Sequence, residues 1–381
     1  MENGRILVTC AKGISPFLLE ELLSLGYPVL TETVAGVSIE GTLEDAMTLN
    51  MCVRSGHRVL FHLASFTAGN QDDLYRGVSE IIWENYLHKD GYFCVTSSVD
   101  NPTIRDARFA NLKCKDAIVD RMRKQCGMRP DSGPARDRTV VHLHWKSNEC
   151  SLYLDTSGEP LSRRGYRKLP HKAPMQETLA ASVILATGWH GQGNFVNPMC
   201  GSGTLAIEAA LIASKKPPGL LRSNYGFMHL KGFNGARWKE LRTRAGKAAE
   251  KTISGRIVAT DIDPAAVEAA VRNAIAAGVR HLIEFGTGDY ADTPIPDGGG
   301  VIVFNPGYGE RIGMISGLEK TYKGIGDFLK RKCPGYTGYV FTGNADLAKK
   351  IGLRPKSKLP FFNGPIACRL LGYELYEGGG K

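Results

Sequence analysis

A short segment, Asn305 to Arg311, contains residues that are well suited to chemistry, and it follows an apolar run. The side-chain oxygen of Asn305 and the carbonyl of Pro306 can accept both hydrogens of an exocyclic amine. They would stabilise the positive charge that develops on nitrogen during attack. Tyr308 can stack on a flipped-out base. The segment is typical of transfer to the amino group of a nucleobase, although an Asn-Pro turn beside a core tyrosine is the structural alternative.

A glycine-rich turn lies about a hundred residues earlier, after a short apolar strand and before a helix. Gly201 and Gly203 let the backbone approach a ligand without an intervening Cβ. The free N–H groups of the helix N-terminus suit the carboxylate of a methionine moiety. The spacing is not that of dinucleotide folds, and the lysine of a phosphate-binding loop is missing. The candidate cofactor residues of this turn are Asn197, Pro198, Cys200, Gly201, Ser202, Gly203 and Thr204.

Two further acidic positions follow predicted strands. Asp263 caps the next helix, which leaves Asp261 free to hold a ribose diol; the alternative is a solvated strand end. Asp289 can accept from an adenine amino group, or is an ordinary turn aspartate. Ile262 and Tyr290 adjoin these acids and, with Asn305, belong to the candidate cofactor set. In this order, the segments predict methyl transfer from S-adenosylmethionine to a nucleobase amine.

The elements that must position these residues begin at about residue 176. Predicted strands at 194–196, 256–260, 283–285 and 300–304 alternate with helices, notably 204–214 and 264–277. This alternation is typical of an α/β domain with an open, mostly parallel sheet. Ligands bind such sheets at the carboxyl ends of the strands, where the candidate residues lie.

The N-terminal part is organised differently. Residues 1–68 form a small α+β unit, with helices expected from Ser15 to Leu25 and from Leu43 to Asn50, and a strand at 34–39. Residues 69–155 contain a hairpin near their end, and 156–175 are expected to be a linker.

Two sets of residues outside the catalytic segments have candidate binding roles. His142 and His144 would share a strand face; sheet-surface histidines are favoured over a metal site, because no third ligand lies nearby. A basic stretch offers phosphate contacts, with Arg105, Arg108, Lys113 and Lys115 as candidates. Around Tyr166, the basic residues are either a solvated charge run or phosphate and base contacts. They are Arg163, Arg164, Arg167 and Lys168.

Composition agrees with a nucleic-acid partner and a cytoplasmic location, although a basic protein without a polyanion partner is the alternative for the charge alone. The chain has 381 residues, a net charge of +10 and a pI near 9.1, which indicate an acidic partner such as nucleic acid. Nine cysteines without a Cys-x-x-Cys pair suggest reduced thiols and no structural metal. We find no secretion signal and no apolar run that could cross a membrane, so a cytoplasmic protein without a membrane partner is expected.

The sequence resembles the THUMP-domain guanine-N2 RNA methyltransferases, a family that includes the N-terminal half of the bacterial large-subunit rRNA enzyme and tRNA-modifying enzymes. The resemblance covers nearly the whole chain. It rests on the Asn-Pro-x-Tyr box and the glycine-rich turn together with the segments 115–120, 154–167, 177–181, 261–263 and 363–366.

This resemblance implies an N-terminal ferredoxin-like domain (1–68), a THUMP RNA-binding domain (69–155) and a Rossmann-like methyltransferase domain (176–381). It adds Glu177 and Thr178 to the cofactor set. It implies 23S rRNA as the substrate, with tRNA second, and a monomer is favoured. Asn197 replaces the usual Asp, and Gly307 replaces the usual second proline. An adenine-N6 methyltransferase and a degenerate RNA-binding protein remain the alternatives.

Overall fold

The computed structural model of the chain describes residues 3–101, 104, 106–169, 175–308 and 315–376, without the side chains of residues 315 and 316. The chain divides into two compact units. The first unit comprises Met1–Cys10, Leu18–Arg163 and Arg222–Arg244. The second unit comprises Ala11–Phe17, Arg164–Leu221 and Ala245–Lys381.

The first unit is built on one mixed sheet of eight strands in the described residues, in the order β2-β3-β1-β4-β8-β7-β5-β6. The strands are β1 (Gly4–Thr9), β2 (Val29–Thr33), β3 (Gly36–Gly41), β4 (Arg58–Thr67), β5 (Tyr92–Asp100), β6 (Asp131–Ser132), β7 (Thr139–Lys146) and β8 (Glu149–Asp155). Strand β5 runs parallel to β6 and β7, and the other pairs are antiparallel.

Four α-helices accompany these strands along the chain: α1 (Ser15–Ser24), α2 (Leu43–Cys52), α3 (Gln71–Glu80) and α4 (Ala107–Cys126). The predicted helices from Ser15 and Leu43 are confirmed. Thr42 and Asp45 form a reciprocal capping box that fixes the start of α2. Gly127, at φ 69°, ends α4 in the left-handed conformation that glycine adopts without strain.

The second unit contains a seven-stranded sheet in the order β11-β10-β9-β12-β13-β15-β14. The strands are β9 (Asn194–Pro198), β10 (Ile257–Asp261), β11 (Ile283–Thr287), β12 (Gly300–Phe304), β13 (Tyr336–Thr342), β14 (Ser357–Asn363) and β15 (Ile366–Glu374). Strands β9 to β13 are parallel, and β15 is antiparallel to β13 and β14. The predicted α/β class with a Rossmann-like sheet is confirmed.

Six further α-helices lie between residues 177 and 350, and most of α7 belongs to the first unit: α5 (Glu177–Ala186), α6 (Thr204–Ala213), α7 (Gly235–Ala248), α8 (Pro264–Ala277), α9 (Ile315–Lys332) and α10 (Ala345–Lys350). Val196, Val258 and Ile302 from the central strands pack with Phe304 and Tyr322 in one buried core. Central parallel strands are covered on both faces, which explains why the strand sequences are apolar throughout rather than alternating.

Two short segments belong to a different unit from their sequence neighbours. In Arg222–Arg244, Phe227 packs on Tyr225 and Trp238 with ring centroids 5.1 and 4.9 Å apart. The Phe227 amide donates to the Thr156 carbonyl at 3.0 Å, within the first unit. In Ala11–Phe17, the Phe17 ring stacks on Phe361 at 5.7 Å, within the second unit. No local sequence pattern indicates that these two segments belong to the other unit.

No helix in the described part of the chain is long and apolar enough to cross a membrane.

Candidate active site at the carboxyl edge of the second sheet

Neighbouring parallel strands bring the three candidate segments to one edge of the sheet. Strand β9 lies between β10 and β12, with Pro198 opposite Thr260 and Val196 opposite Ile302. The glycine-rich turn, Asp261 and Asn305 therefore all follow the carboxyl ends of adjacent strands. This is where open α/β sheets bind ligands.

The glycine-rich turn is held by backbone hydrogen bonds in a tight, left-handed path. The Cys200 amide donates to the Thr260 carbonyl at 2.8 Å, and the Gly203 amide donates to the Cys200 carbonyl at 2.9 Å. Met199, Gly201 and Gly203 have φ values of 59°, 54° and 82°. A Cβ on Gly203 would lie 2.8 Å from the Ala270 Cβ of α8. Glycine is therefore required at position 203 by both conformation and space.

The first turn of α6 presents unused backbone donors. Gly203 is the N-cap residue, and no side chain of the described residues caps the helix. Residues that normally fill this position accept from the first amides of the helix, and here those amides remain available. The amides and the positive end of the helix dipole suit a carboxylate.

Asp261 has a defined role rather than being a solvated strand end. Its Oδ2 accepts from the Gly201 amide at 2.8 Å, and its Oδ1 accepts from the Asp263 amide at 3.0 Å. A carboxylate has about four acceptor positions, so both oxygens can still accept from a ribose diol. Asp263 accepts from the Ala265 amide and caps α8, as the sequence predicted.

Asn197 lies on β9 with its side chain fully buried. Its Nδ2 donates to the Val303 carbonyl at 2.9 Å, which fixes the orientation of the amide. Its Oδ1 has no hydrogen-bond partner among the described residues. An aspartate here would place a second acceptor against the Val303 carbonyl. The amide suits this position better, and it leaves one buried acceptor for a ligand donor.

The Asn305 box follows β12 directly. The Tyr308 hydroxyl donates to the Asn305 Oδ1 at 3.1 Å, and the Asn344 Nδ2 donates to the Tyr308 carbonyl at 3.2 Å. Asn363 Nδ2 lies 3.5 Å from the Tyr308 hydroxyl. An amide oxygen has two lone pairs, so Asn305 retains one acceptor position. Glu310 and Arg311 lie outside the described residues.

Gly307 is supported although it lacks the ring of the usual proline. The Tyr322 hydroxyl donates to the Gly307 carbonyl at 3.3 Å and lies 2.7 Å from the Thr342 Oγ1. Burial raises the pKa of Tyr322 to about 12, so this phenol remains a protonated donor at neutral pH. The Tyr322 hydroxyl thus fixes the Gly307 carbonyl, one residue after Pro306.

The residues near Asp289 form a more open part of the edge. Asp289 is exposed, and its side chain accepts from the Ala291 amide at 2.9 Å. Tyr290 packs edge-on against Phe304 with centroids 6.0 Å apart. Ile262 is 69% exposed. None of these contacts distinguishes a cofactor role from a turn.

One buried side chain that sequence reasoning missed is Asn273 on α8. Its Oδ1 accepts from the Lys168 and Leu169 amides at 2.9 and 3.3 Å. Its Nδ2 donates to the Ser202 carbonyl at 3.1 Å. Asn273 therefore joins the glycine-rich turn to the segment around residue 168. A polar residue on the apolar face of α8 was the available signal.

The basic residues around Tyr166 do not all face solvent, which corrects part of the phosphate-contact prediction. Arg164 is buried, with its Nε 3.6 Å from the Glu208 Oε1. The Tyr166 hydroxyl donates to the same oxygen at 3.1 Å. A fully buried arginine and tyrosine cannot contact a phosphate or stack on a base. They form an internal ion pair and hydrogen bond instead.

Two residues implied by the resemblance lie at the start of α5. Glu177 is paired with Arg167, whose Nη2 lies 3.2 Å from the Glu177 Oε2. Burial raises the pKa of Glu177, and the charge of Arg167 opposes that shift. Thr178 is fully buried, and its hydroxyl has no partner among the described residues. Both remain candidates for cofactor contact, without a described contact to the turn.

In the first unit, the basic residues that are candidates for RNA contact form ion pairs at the surface. Arg108 is paired with Asp106 at 3.0 Å, Lys115 with Asp116 at 3.0 Å, and Arg163 with Glu159 at 2.5 Å. Such exposed pairs are worth little in water, so a phosphate can replace the acid. The Lys113 ammonium lies 5.9 Å from the Phe109 ring centre. Arg105 lies outside the described residues.

His142 and His144 gain no further metal ligand in the structure. Within the described ranges, no group of three His, Cys, Asp or Glu residues could hold a metal ion. The His142 Nδ1 lies 3.0 Å from the Thr96 Oγ1 instead.

Comparison with known families decides the assignment. The model of the RMKL-like methyltransferase domain matches residues 164–371. The chain belongs to this methyltransferase family. Models of the RlmL ferredoxin-like domain and of the THUMP domain match residues 5–60 and 68–155. The resemblance and the three kinds of domain predicted from the sequence are confirmed.

Individual relatives agree with the family assignment. The "Ribosomal RNA large subunit methyltransferase K/L" of Syntrophotalea carbinolica is 37% identical, over 98% of this chain and 54% of the relative. The chain spans about half the length of the curated relatives it matches.

Two solved structures share the fold over almost the full length of the chain. One is the protein SMU.472, solved in complex with SAH, with 27% identity, a TM-score of 0.89, and coverage of 99% of this chain and 100% of that one. The other is described as a predicted N6-adenine-specific DNA methylase from Listeria monocytogenes. It has 29% identity, a TM-score of 0.89, and coverage of 98% and 97%.

Proposed function

We propose that this protein is an RNA methyltransferase that moves a methyl group from S-adenosylmethionine to the exocyclic N2 amine of a guanine. The observation that carries the proposal is the position of Asn305, Pro306 and Tyr308 at the end of β12. They follow the strand next to the one that leads into the glycine-rich turn. An amine acceptor site and a cofactor site thereby adjoin at one sheet edge.

The residues present fit the cofactor. The uncapped first turn of α6 offers amides to the methionine carboxylate, and the buried Asn197 Oδ1 offers an acceptor to its ammonium group. The carboxylate of Asp261 accepts from the ribose hydroxyls while it holds the Gly201 amide. S-adenosylmethionine, when bound, supplies a methyl group on a positively charged sulfur. The SMU.472 complex with SAH supports this choice of ligand.

The acceptor amine needs activation because its lone pair is delocalised into the base. Asn305 Oδ1 and the Pro306 carbonyl accept its two hydrogens, which favours the geometry that attacks and stabilises the developing positive charge. Tyr308 stacks on the flipped-out base, while its hydroxyl keeps the Asn305 amide oriented. Holding the nitrogen in line with the methyl supplies the rest of the rate enhancement. The methylated amine then loses a proton to water.

The substrate is proposed to be 23S rRNA, with tRNA second. The THUMP match, the net charge of +10 and the large-subunit rRNA methyltransferases among the relatives support this choice. In this proposal, residues 1–68 and 69–155 hold the RNA, and residues 176–381 perform the transfer after a connecting segment at 156–175. The protein acts as a monomer in the cytoplasm.

A second candidate is adenine-N6 methylation, because the same acceptors fit either amine. The Listeria monocytogenes structure, described as an adenine-specific DNA methylase, is the observation in its favour. A degenerate RNA-binding protein is the third candidate. Calorimetry with S-adenosylmethionine separates it from the others, because a degenerate domain would give no binding heat.

Mass spectrometry of nucleosides from rRNA and tRNA tests the proposal in cells. A strain lacking this protein should lose N2-methylguanosine at one position of its rRNA, and a plasmid copy should restore it. An unchanged content of methylated guanosine in both RNA classes, together with a loss of N6-methyladenosine, would transfer the proposal to the second candidate.

A further inference from the structure

A cavity of about 430 Å³ lies in the second unit, on one face of strands β13, β14 and β15. We call it the β14 groove, and define it by Thr342, Lys358, Ala367, Arg369, Leu371 and Tyr373. Helix α10 contributes Ala345, Ala348 and Lys349 to its wall. No catalytic or cofactor role described above uses it.

The strand register explains why the basic residues of the groove converge. Lys358 lies opposite Leu371, and Pro360 lies opposite Arg369 in the antiparallel pair β14–β15. Arg369 also lies opposite Thr342 of β13. Directly opposed residues share a face of the sheet. Lys358 and Arg369 are therefore two residues of one face on adjacent strands, at the edge of the sheet.

The groove is positively charged and keeps its cations available. Lys358 and Arg369 are exposed, and neither has an ion-pair partner in the described part of the chain. Lys349 is bonded to Asp346 at 2.8 Å. Among the described residues that line the groove, none is acidic. The Tyr373 hydroxyl is buried there without a hydrogen-bond partner in the described residues.

The groove adjoins the Asn305 box through the end of β13. Gly343 and Asn344 line the groove. Asn344 donates to the Tyr308 carbonyl at 3.2 Å, and a Cβ built on Gly343 would lie 3.2 Å from the Tyr308 ring. The same Cβ would lie 3.4 Å from the Cys368 sulfur, and Cys368 also lines the groove. On the Lys358 and Arg369 face itself, Thr342 lies opposite Arg369, and its Oγ1 is 2.7 Å from the Tyr322 hydroxyl that donates to the Gly307 carbonyl. This face of the groove therefore reaches the Asn305 box at the end of β13.

We propose that the β14 groove binds the phosphodiester backbone of the RNA strand next to the target nucleotide. This inference rests on the proposed function and adds an RNA contact surface to the catalytic unit. Arg369 offers a guanidinium fork that suits phosphate oxygens, and Lys358 offers a point charge. On the same strand as Lys358, the ring of Phe362 has the Lys12 ammonium 4.8 Å from the ring centre. Phe362 extends the face with an aromatic surface on which a neighbouring base can stack.

The test uses the full chain carrying Lys358→Glu and Arg369→Glu together. Its matched control is Lys247→Glu with Lys251→Glu, which changes the charge equally at two exposed positions of the second unit. Filter binding to rRNA fragments at several salt concentrations measures affinity, and single-turnover methylation measures transfer. Calorimetry with SAH and thermal melts establish that each variant is folded. Lys358→Gln with Arg369→Gln provides a milder second variant.

The groove variant should bind RNA about tenfold more weakly than the control. Its salt dependence should fall by about one unit of slope for each lost phosphate contact. SAH affinity should be unchanged, and the glutamine variant should follow in the same direction with a smaller loss. RNA affinity and methylation equal to those of the control would overturn the inference. Wild-type methylation tests the proposed function separately, because the inference depends only on the ratio of variant to control.

Discussion

At the scale of single residues, Asn305 carries the most specific chemical role. Asn305→Ala removes an acceptor that acts on the amine in the transition state, so methyl transfer should fall by roughly 10²-fold or more. Cofactor affinity should be nearly unchanged. Asn305→Asp keeps an acceptor oxygen and should retain more activity than the alanine variant. Single-turnover rates on RNA are the measurement, and an alanine variant within about threefold of wild type would exclude this role.

Asp261→Ala should act on the cofactor instead. The loss of hydrogen bonds to a charged group predicts affinity for S-adenosylmethionine weaker by about 1.5–3 kcal/mol, with little change in RNA binding. Part of that loss comes from releasing the Gly201 amide. Asp263→Ala is the control: it removes the cap of α8 and should cost about 1 kcal/mol of stability. Calorimetry that gives both variants the same affinity would show that Asp261 does not contact the cofactor.

The residue types at the strand ends could be read from the sequence, but the burial of individual side chains could not. The strand-end positions of Asp261 and Asn305 were predictable because each follows an apolar run, whereas the cofactor and acceptor roles of the two side chains stay predictions. Arg164 was misassigned because an arginine in a polar, glycine-rich segment resembles a solvated charge. Its partner, Glu208, lies 44 positions away on α6 (208 minus 164) and is buried with it. Long-range pairing of this kind leaves no local pattern.

At the scale of elements, the two glycines of the glycine-rich turn should differ in how well they tolerate replacement by alanine. Both Gly201 and Gly203 have positive φ, but only Gly203 faces a close neighbour. Gly203→Ala should therefore destabilise the chain by about 1–3 kcal/mol more than Gly201→Ala, because the added methyl group meets Ala270. Urea unfolding measures the difference. Equal losses for the two variants would mean that α8 can move away from the turn at little cost.

His142 on strand β7 should make the stability of the fold depend on pH. Burial, with the nearby charge of Arg58, lowers the pKa of His142 to about 4, from the ordinary value of 6.5. As pH falls from 6.5 to 4, the unfolded chain takes up a proton that the folded chain does not. Stability should then fall by at most about 1.4 kcal/mol per pH unit from this group, and not further below pH 4.

Replacement of His142 by Gln should remove that part of the slope. The control is His144→Gln, at an exposed position on the same strand. Unfolding free energies measured from pH 4 to pH 7 give the comparison. If His142→Gln and wild type have parallel pH profiles, His142 is protonated in the folded chain.

Several helices were predictable because their ends carry recognisable caps. Thr42, Asp263 and Gly278 mark helix boundaries with side chains and conformations that the structure uses. The antiparallel strands β14 and β15 were not identified as strands, and their pairing depends on contacts across the sheet. The same holds for Arg222–Arg244, whose aromatic residues pack in the first unit.

At the scale of the whole molecule, each unit includes a short segment that lies among the residues of the other unit in the sequence. This arrangement decides how the RNA-binding role should be tested. A fragment starting near residue 174 would lose Ala11–Phe17 from the second unit and leave the aromatic segment Arg222–Arg244 without the first. Its weak RNA binding would not be interpretable. Charge reversal in the full chain is the appropriate experiment.

Reversal of Arg108, Lys113 and Lys115 to Glu should weaken RNA affinity strongly and lower its salt dependence by about one unit of slope per contact. S-adenosylmethionine affinity should not change. Reversal of the exposed residues Lys247, Lys251 and Lys330 to Glu gives the same change in net charge away from α4. Filter binding of both triple variants at two salt concentrations makes the comparison. Equal affinities would exclude α4 as an RNA contact.

The most direct test of the central claim is the identity of the methylated nucleoside. Purified full chain is incubated with methyl-labelled S-adenosylmethionine and unmodified 23S rRNA, and the RNA is digested to nucleosides for mass spectrometry. The account predicts label in N2-methylguanosine, abolished by Asn305→Ala. Label in N6-methyladenosine, or no label from a chain that binds the cofactor and the RNA, would contradict it.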